Sequence, residues 1–172
     1  MRLITAAAVA LLSLTLSGRL AAQSPTTSRP ADSTLVVFVC EHGTVKSQVA
    51  AALFNRLAVE RRLPARAVSR GTQPDSVIPQ LIRDGLRADG VDVSGVLPKG
   101  LSTEDARGAR MFVAFDVEVP GEIAGVVPVR RWDGTPSVMQ AYPVGRDAIA
   151  ARVASLVSEL EHASPQPPGQ RP

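Results

Sequence analysis

The sequence has a single cysteine, Cys40, and few aromatic residues: four Phe, one Trp and one Tyr. One cysteine cannot form an intrachain disulfide, so a disulfide-stapled scaffold is excluded. Proteins that bind nucleic acids stack bases on aromatic side chains and contact the phosphate backbone with runs of basic residues. The chain is poor in both, so nucleic-acid binding is not predicted. The two histidines, His42 and His162, lie far apart in the sequence. No metal site and no cofactor are predicted.

The N-terminus has the pattern of a secretory signal peptide over residues 1–22. Arg2 precedes an apolar run, Ile4–Leu16, and Ala21 and Ala22 supply small residues for cleavage. The run is too short for a transmembrane helix, although an uncleaved anchor is the alternative. We therefore expect an exported protein, periplasmic or secreted, with no membrane contact after cleavage. Loss of Arg2 and Arg19 with the peptide lowers the formal net charge from +3 to +1.

Residues 34–162 are predicted to form one domain between two short segments. Residues 23–33 and 163–172 are rich in Ser, Thr or Pro and are expected to be a disordered leader and tail. Within the domain, apolar runs and helical periodicity alternate. The predicted strands are Leu35–Val39, Ala65–Ser69, Arg110–Phe115 and Val126–Val129, and the predicted helices are Ser47–Arg61, Ile78–Ala88, Thr103–Ala109 and one containing Ile149, Val153, Leu156, Val157 and Leu160.

This alternation predicts an α/β three-layer sandwich with a central four-stranded parallel sheet. Leu35–Val39 is apolar throughout, which is typical of a central strand buried on both faces. Ligands of such sheets bind beyond the carboxyl ends of the strands. The turn after this strand is therefore the first place to look for a site.

That turn is a candidate oxyanion-binding loop. Backbone N–H groups and the N-terminus of the following helix would hold a phosphate-like anion and favour the thiolate of a cysteine at the start of the loop. A thiolate there could attack phosphorus or arsenic, and a lysine at the end would neutralise charge on the anion. The predicted loop comprises Cys40, Glu41, His42, Gly43, Thr44, Val45, Lys46 and Ser47.

Two residues of the loop have alternative interpretations. Cys40 could be a buried, unreactive end of a strand. His42 could be a general base or a metal ligand, but the other histidine, His162, lies at the tail. The combination of strand, glycine, lysine and helix around Cys40 favours the reactive interpretation.

The chain resembles the low-molecular-weight protein tyrosine phosphatases and the arsenate reductases that share their fold. The resemblance covers about Leu35 to Leu160 and is carried chiefly by Val37–Ser47. Ser69–Thr72 is similar to the family's Ser-Ala-Gly-Thr, and Gly90–Ser94 to its Gly-Ile-Asp-Ile-Ser. It implies a phosphatase I-like fold, a cysteine nucleophile, and a phosphate-like oxyanion or phosphorylated substrate as partner.

The loop departs from the family pattern at several positions. Lys46 stands where the family has Arg, which clamps a phosphate through two hydrogen bonds, whereas Lys offers a point charge. His42 and Gly43 replace the family's Gly and Asn, and Val45 replaces a frequent second cysteine. Glu41 adds a negative charge that opposes anion binding. If Lys46 substitutes for the arginine, Lys46→Arg should strengthen oxyanion binding and Lys46→Ala should weaken it.

The family's general acid, an Asp in an Asp-Pro pair, has no direct equivalent. The matching stretch is Trp132–Pro136, in which Thr135 precedes the proline. Asp133 is the best substitute, and its alternative role is that of a turn residue before Gly134. Together with Cys40 and Lys46, Asp133 completes the predicted catalytic set.

These features favour a phosphotyrosine-type phosphomonoester hydrolase of impaired activity. One alternative is an arsenate reductase-like protein that passes arsenate to an external thiol, because a relay of several cysteines cannot be built from Cys40 alone. The other is a catalytically degenerate domain that binds an oxyanion. Lys46 and the missing Asp-Pro pair favour the degenerate domain, and the retained cysteine favours an enzyme.

Overall fold

The protein is described by a computed structural model, which covers residues 33–163. These residues lie within one compact unit of the chain. The predicted signal peptide and most of the two flanking segments lie outside the described residues. The elements in chain order are β1 (Thr34–Cys40), α1 (Lys46–Glu60), β2 (Ala65–Gly71), α2 (Gln80–Ala88), α3 (Thr103–Ala106), β3 (Ala109–Ala114), α4 (Gly121–Ala124), β4 (Val129–Arg131) and α5 (Tyr142–Ala163).

The four strands form one parallel sheet in the order β2-β1-β3-β4. β1 pairs with β2 on one side and with β3 on the other, so the predicted central position is confirmed. Val36 and Phe38 point into one apolar cluster, while Val37 and Val39 point into a second cluster on the opposite face. The side chains of all four are fully buried. An α/β fold with helices on both faces of a parallel sheet is therefore confirmed.

The larger cluster lies between the sheet and helices α1 and α5. Phe38 packs on Phe54 of α1 and on Trp132, with ring centroids 6.0 and 5.6 Å apart. Ile149 and Val153 of α5 are buried in the same cluster, as the helical periodicity predicts. Burial of a side chain of this size stabilises the fold by about 1.5–3 kcal/mol. This packing fixes the carboxyl end of β1, from which the candidate site begins.

The predicted boundaries need several corrections. β4 begins at Val129, not Val126, because Val126 is 71% exposed while only residues 129–131 pair with β3. The short helix α4 was not predicted, and α3 ends at Ala106 because Ala109 already belongs to β3. The predicted helix from Ile78 starts at Gln80, directly after Pro79. No helix among residues 33–163 is long and apolar enough to cross a membrane.

Candidate active site

The loop between β1 and α1 is held against the end of β2 by two glycines. Gly43 has φ of +71°, which glycine adopts without steric cost. A Cβ on Gly43 would lie 2.7 Å from the backbone nitrogen of Gly71. The two backbones therefore approach so closely that a side chain at Gly43 would clash. Thr72 N–H donates to the Cys40 carbonyl (3.1 Å) and Gln73 N–H to the Glu41 carbonyl (2.8 Å). The segment after β2 thus fixes the loop backbone.

The Cys40 thiol lies inside the curve of this loop. Its Sγ is 3.0 Å from the Ser47 hydroxyl and accepts a hydrogen bond from the Gly43 N–H at 3.2 Å. Cys40 is only 6% exposed, and Ser47 is fully buried. The first turn of α1 follows directly, and no side chain caps the N-terminus of this helix. One backbone donor is thus directed at the sulfur, directly before a helix.

A cleft of about 200 Å³ opens above Cys40. It brings together four predicted loop residues besides the cysteine and adds four residues from the end of β3 and the segment before α5. Gly43, Thr44 and Ser47 of the loop are buried and do not line it. The lining residues are Cys40, Glu41, His42, Val45, Lys46, Phe115, Asp116, Val117 and Met139.

Lys46 reaches the cleft but is held there by an aspartate that sequence reasoning missed. Its Nζ donates to Asp116 Oδ2 at 2.6 Å. Asp116 Oδ1 accepts a hydrogen bond from the Gly134 N–H at 2.8 Å, so this carboxylate ties the loop to the segment after β4. Burial of the carboxyl group opposes its ionisation, but the hydrogen bonds from Lys46 and Gly134 and the lysine charge outweigh it, and the pKa of Asp116 lies below the ordinary 3.8.

Asp116 could have been found from strand order alone. It stands two residues beyond β3, which neighbours β1, and the carboxyl ends of neighbouring parallel strands meet at one edge. Its φ of +53° is unusual for a residue other than glycine, and such backbone strain concentrates at functional sites. The sequence gives no equivalent signal for Met139.

Asp133, the predicted substitute acid, does not line the cleft. Its carboxylate forms two hydrogen bonds with Arg131, at 2.9 and 3.2 Å. Gly134 follows with φ of +67°, which is typical of the turn-residue alternative. Arg152 donates to the Asp133 carbonyl and to the Thr135 hydroxyl, which fixes the turn from α5. The structure therefore brings Cys40 and Lys46 together but leaves Asp133 paired elsewhere.

His42 is bracketed by two carboxylates at the mouth of the cleft. Its Nδ1 is 3.3 Å from Asp75 Oδ1, and its Nε2 is 3.7 Å from Glu41 Oε2. The other oxygen of Asp75 accepts a hydrogen bond from the buried Thr44 hydroxyl at 2.8 Å. The Asp75 N–H also donates to the His42 carbonyl at 3.1 Å. Asp75, which the sequence did not single out, thus holds the backbone of His42 and lies within ion-pair distance of its ring.

Within residues 33–163, no group of three or more His, Cys, Asp or Glu side chains is arranged to hold a metal ion. A sulfur that accepts a backbone hydrogen bond, at the N-terminus of a helix and beneath a cleft, can attack the central atom of an oxyanion bound by the loop.

Comparison with known proteins gives the same fold. The thioredoxin-dependent arsenate reductase of Corynebacterium glutamicum is 24% identical (TM-score 0.62); the match covers 77% of this chain and 64% of that one. A low molecular weight protein tyrosine phosphatase from T. tengcongensis is 19% identical (TM-score 0.62), with 74% and 99% covered. The arginine phosphatase YwlE of Geobacillus stearothermophilus is also 19% identical (TM-score 0.62), with 76% and 94% covered.

The family itself is identified by the sequence. Residues 35–133, more than half of the chain, match the low molecular weight phosphotyrosine protein phosphatases. This stretch contains β1, the loop with Cys40, and the segment that carries Asp116. Proteins of this family are cysteine-dependent phosphatases that bind phosphate-like oxyanions. The chain belongs to the low molecular weight phosphotyrosine protein phosphatase family.

Proposed function

We propose that the protein hydrolyses phosphomonoesters of the phosphotyrosine type, with Cys40 as the nucleophile. The observation that carries this proposal is the position of Cys40 Sγ between the Ser47 hydroxyl and the Gly43 N–H, directly below the cleft. The sulfur attacks phosphorus, an S–P bond forms, and the P–O bond to the leaving group breaks. Water then attacks the phosphocysteine and releases phosphate and the thiolate.

The loop supplies the electrostatic stabilisation for both steps. Backbone N–H groups of the loop and the first turn of α1 can donate to the three non-bridging oxygens of the phosphoryl group. Lys46 adds a positive charge that it can share between Asp116 and the anion. Charge that develops on phosphorus-bound oxygens is thereby met by donors already in place.

The walls of the cleft suit an aryl group better than a highly charged one. Val45, Val117 and Met139 line it, and Met139 is 47% exposed at its edge. An aromatic ring attached to the phosphate would contact these apolar side chains. The structural relatives include both tyrosine and arginine phosphatases, so phosphoarginine is a useful comparison substrate in any assay.

The test compares the purified protein with Cys40→Ser on an aryl phosphate. We expect turnover by the parent and none by Cys40→Ser, because serine is a far weaker nucleophile in a site built for a thiolate. Vanadate should inhibit the parent in competition with substrate. A parent that hydrolyses the ester no faster than Cys40→Ser would refute the proposal.

One contact favours a second function, that of a non-catalytic oxyanion-binding domain. Lys46 is already paired with Asp116, and Glu41 adds another carboxylate to the same cleft. These charges weaken the field that would stabilise a transition state. Calorimetric binding of phosphate or vanadate, without hydrolysis of any phosphate ester, would support this function over the first.

A further inference from the structure

We propose that His42, positioned by Asp75, is the general acid and base of this site. The inference rests on the proposed function, because it assigns the proton transfers that phosphocysteine formation and hydrolysis require. It gives the role of the absent Asp-Pro pair to a residue of the loop itself.

The ring of His42 lies in the cleft above the nucleophile. His42 lines the same cleft as Cys40, and its side chain is 50% exposed at the mouth, where a leaving group would exit. Its Nδ1 lies 3.3 Å from Asp75 Oδ1, within ion-pair distance, so the carboxylate favours a protonated ring on that side. Its Nε2 has no hydrogen-bond partner among residues 33–163 and is separated from Glu41 by 3.7 Å.

Asp75 is itself held in place by hydrogen bonds to the loop. This carboxylate is anchored by the hydroxyl of Thr44, which is fully buried, and its backbone N–H holds the His42 carbonyl. His42 is therefore held through its backbone carbonyl by a segment outside the loop, and the carboxylate beside its ring is fixed by the loop. Glu41 and Asp75 are the carboxylates that face the imidazole, and Lys46 and Asp116 are the other charged groups of the cleft.

The other carboxylates near the site, Asp133 and Asp116, are unsuited to act as the general acid. Asp133 is paired with Arg131 and does not line the cleft. Asp116 lines the cleft, but each of its oxygens accepts a hydrogen bond, from Lys46 and from Gly134. Its lowered pKa means that it carries no proton to donate near neutral pH. Imidazole, in contrast, is the side chain that most often carries out such proton transfers.

The proton transfers balance in two steps. As the Cys40 thiolate forms the S–P bond, the electrons of the breaking P–O bond move to the leaving oxygen, which takes the proton from His42 Nε2. Water then gives a proton back to His42 while its oxygen attacks phosphorus, and the S–P bond breaks to restore the thiolate. The products are an alcohol or phenol and inorganic phosphate.

The experiment measures hydrolysis of a series of aryl phosphates whose leaving groups differ in basicity. His42→Gln keeps the backbone contact with Asp75 but removes the transferable proton. We expect it to slow esters of basic phenols by roughly 100-fold or more, and esters of acidic nitrophenols far less, because a good leaving group needs no proton. Its rates should therefore depend more steeply on leaving-group basicity than those of the parent. Asp75→Asn should show the same change in weaker form.

His162→Gln is the matched control, since His162 lies exposed near the end of α5, away from the cleft. Vanadate affinity reports whether the loop survives each substitution, and it should stay within a few-fold of the parent in His42→Gln. An unchanged leaving-group dependence in an active His42→Gln protein would overturn the inference and leave the proposed function standing. If the parent itself hydrolyses no ester of the series, the proposed function fails, and the inference fails with it.

Discussion

The ion pair between Lys46 and Asp116 determines how strongly the loop can hold an anion. Lys46 is the basic side chain of the cleft, and its Nζ is 2.6 Å from Asp116 Oδ2. If the ammonium group also contacts the bound oxyanion, Lys46→Ala should weaken binding of phosphate and vanadate. Asp116→Asn should strengthen it, because the neutral amide no longer repels the anion; its single oxygen keeps one of the two hydrogen bonds, from Lys46 or from Gly134.

The magnitudes follow from the exposure of the two side chains. A charge-assisted hydrogen bond contributes about 1.5–3 kcal/mol, so its loss in Lys46→Ala should weaken binding roughly 10- to 150-fold. The Lys46 side chain is only 22% exposed, which keeps the interaction from being fully screened. Asp116 is 40% exposed, so the repulsion removed in Asp116→Asn is at most about 1 kcal/mol, or about fivefold in affinity. Lys46→Arg should bind at least as tightly as the parent, since a guanidinium can contact Asp116 and the anion together.

Calorimetric titration with vanadate and phosphate measures all of these affinities. Lys99→Ala is the matched control, because it removes the same charge from an exposed position outside the cleft and should change affinity little. If Lys46→Ala binds as tightly as the parent, Lys46 stays with Asp116 in the loaded site, and the role assigned to it is wrong. Failure of the parent to bind either anion would refute the oxyanion site altogether.

Three further predictions concern stability and processing. Because the pKa of Asp116 is lower in the folded protein than its ordinary 3.8, this carboxylate stabilises the fold above that pH; the difference in melting temperature between the parent and Asp116→Asn should be full at neutral pH and disappear as the pH falls below that value. Gly43→Ala should lower the free energy of unfolding by roughly 2–4 kcal/mol in a denaturant titration, from the left-handed backbone and the clash together. Gly90→Ala, with φ of +81° but no atom within 4 Å of an added Cβ, should cost only about 1–2 kcal/mol, and equal losses in the two variants would contradict the close-approach argument. Export remains a prediction: N-terminal sequencing of the extracytoplasmic protein should begin near Gln23, and recovery of Met1 would contradict it.

Much of the fold was predictable because its signals are local. An apolar run such as Leu35–Val39, rich in β-branched valine, is stable as a strand only where both of its faces are buried. β1 occupies such a position inside the sheet. The spacing of Ile149 and Val153 likewise identified α5. The predicted strand Val126–Val129 was placed too early in the chain. Val127 is buried in the smaller cluster but does not belong to a strand. An apolar residue indicates burial, but strand pairing also depends on what lies alongside it.

The sequence by itself determined the parallel sheet, the central strand and the loop that starts at Cys40, since these depend on periodicity and on neighbours along the chain. Only the tertiary structure decided which acidic residues lie in the cleft, as Asp116 does, or beside it, as Asp75 does. Asp116 and Asp75 arrive from segments 70 and 31 residues away from their partners Lys46 and Thr44, whereas Asp133 is drawn to Arg131, two residues before it. The reason is physical: a carboxylate pairs with whichever donor the folded backbone places within about 3 Å, and spacing along the chain does not encode that distance.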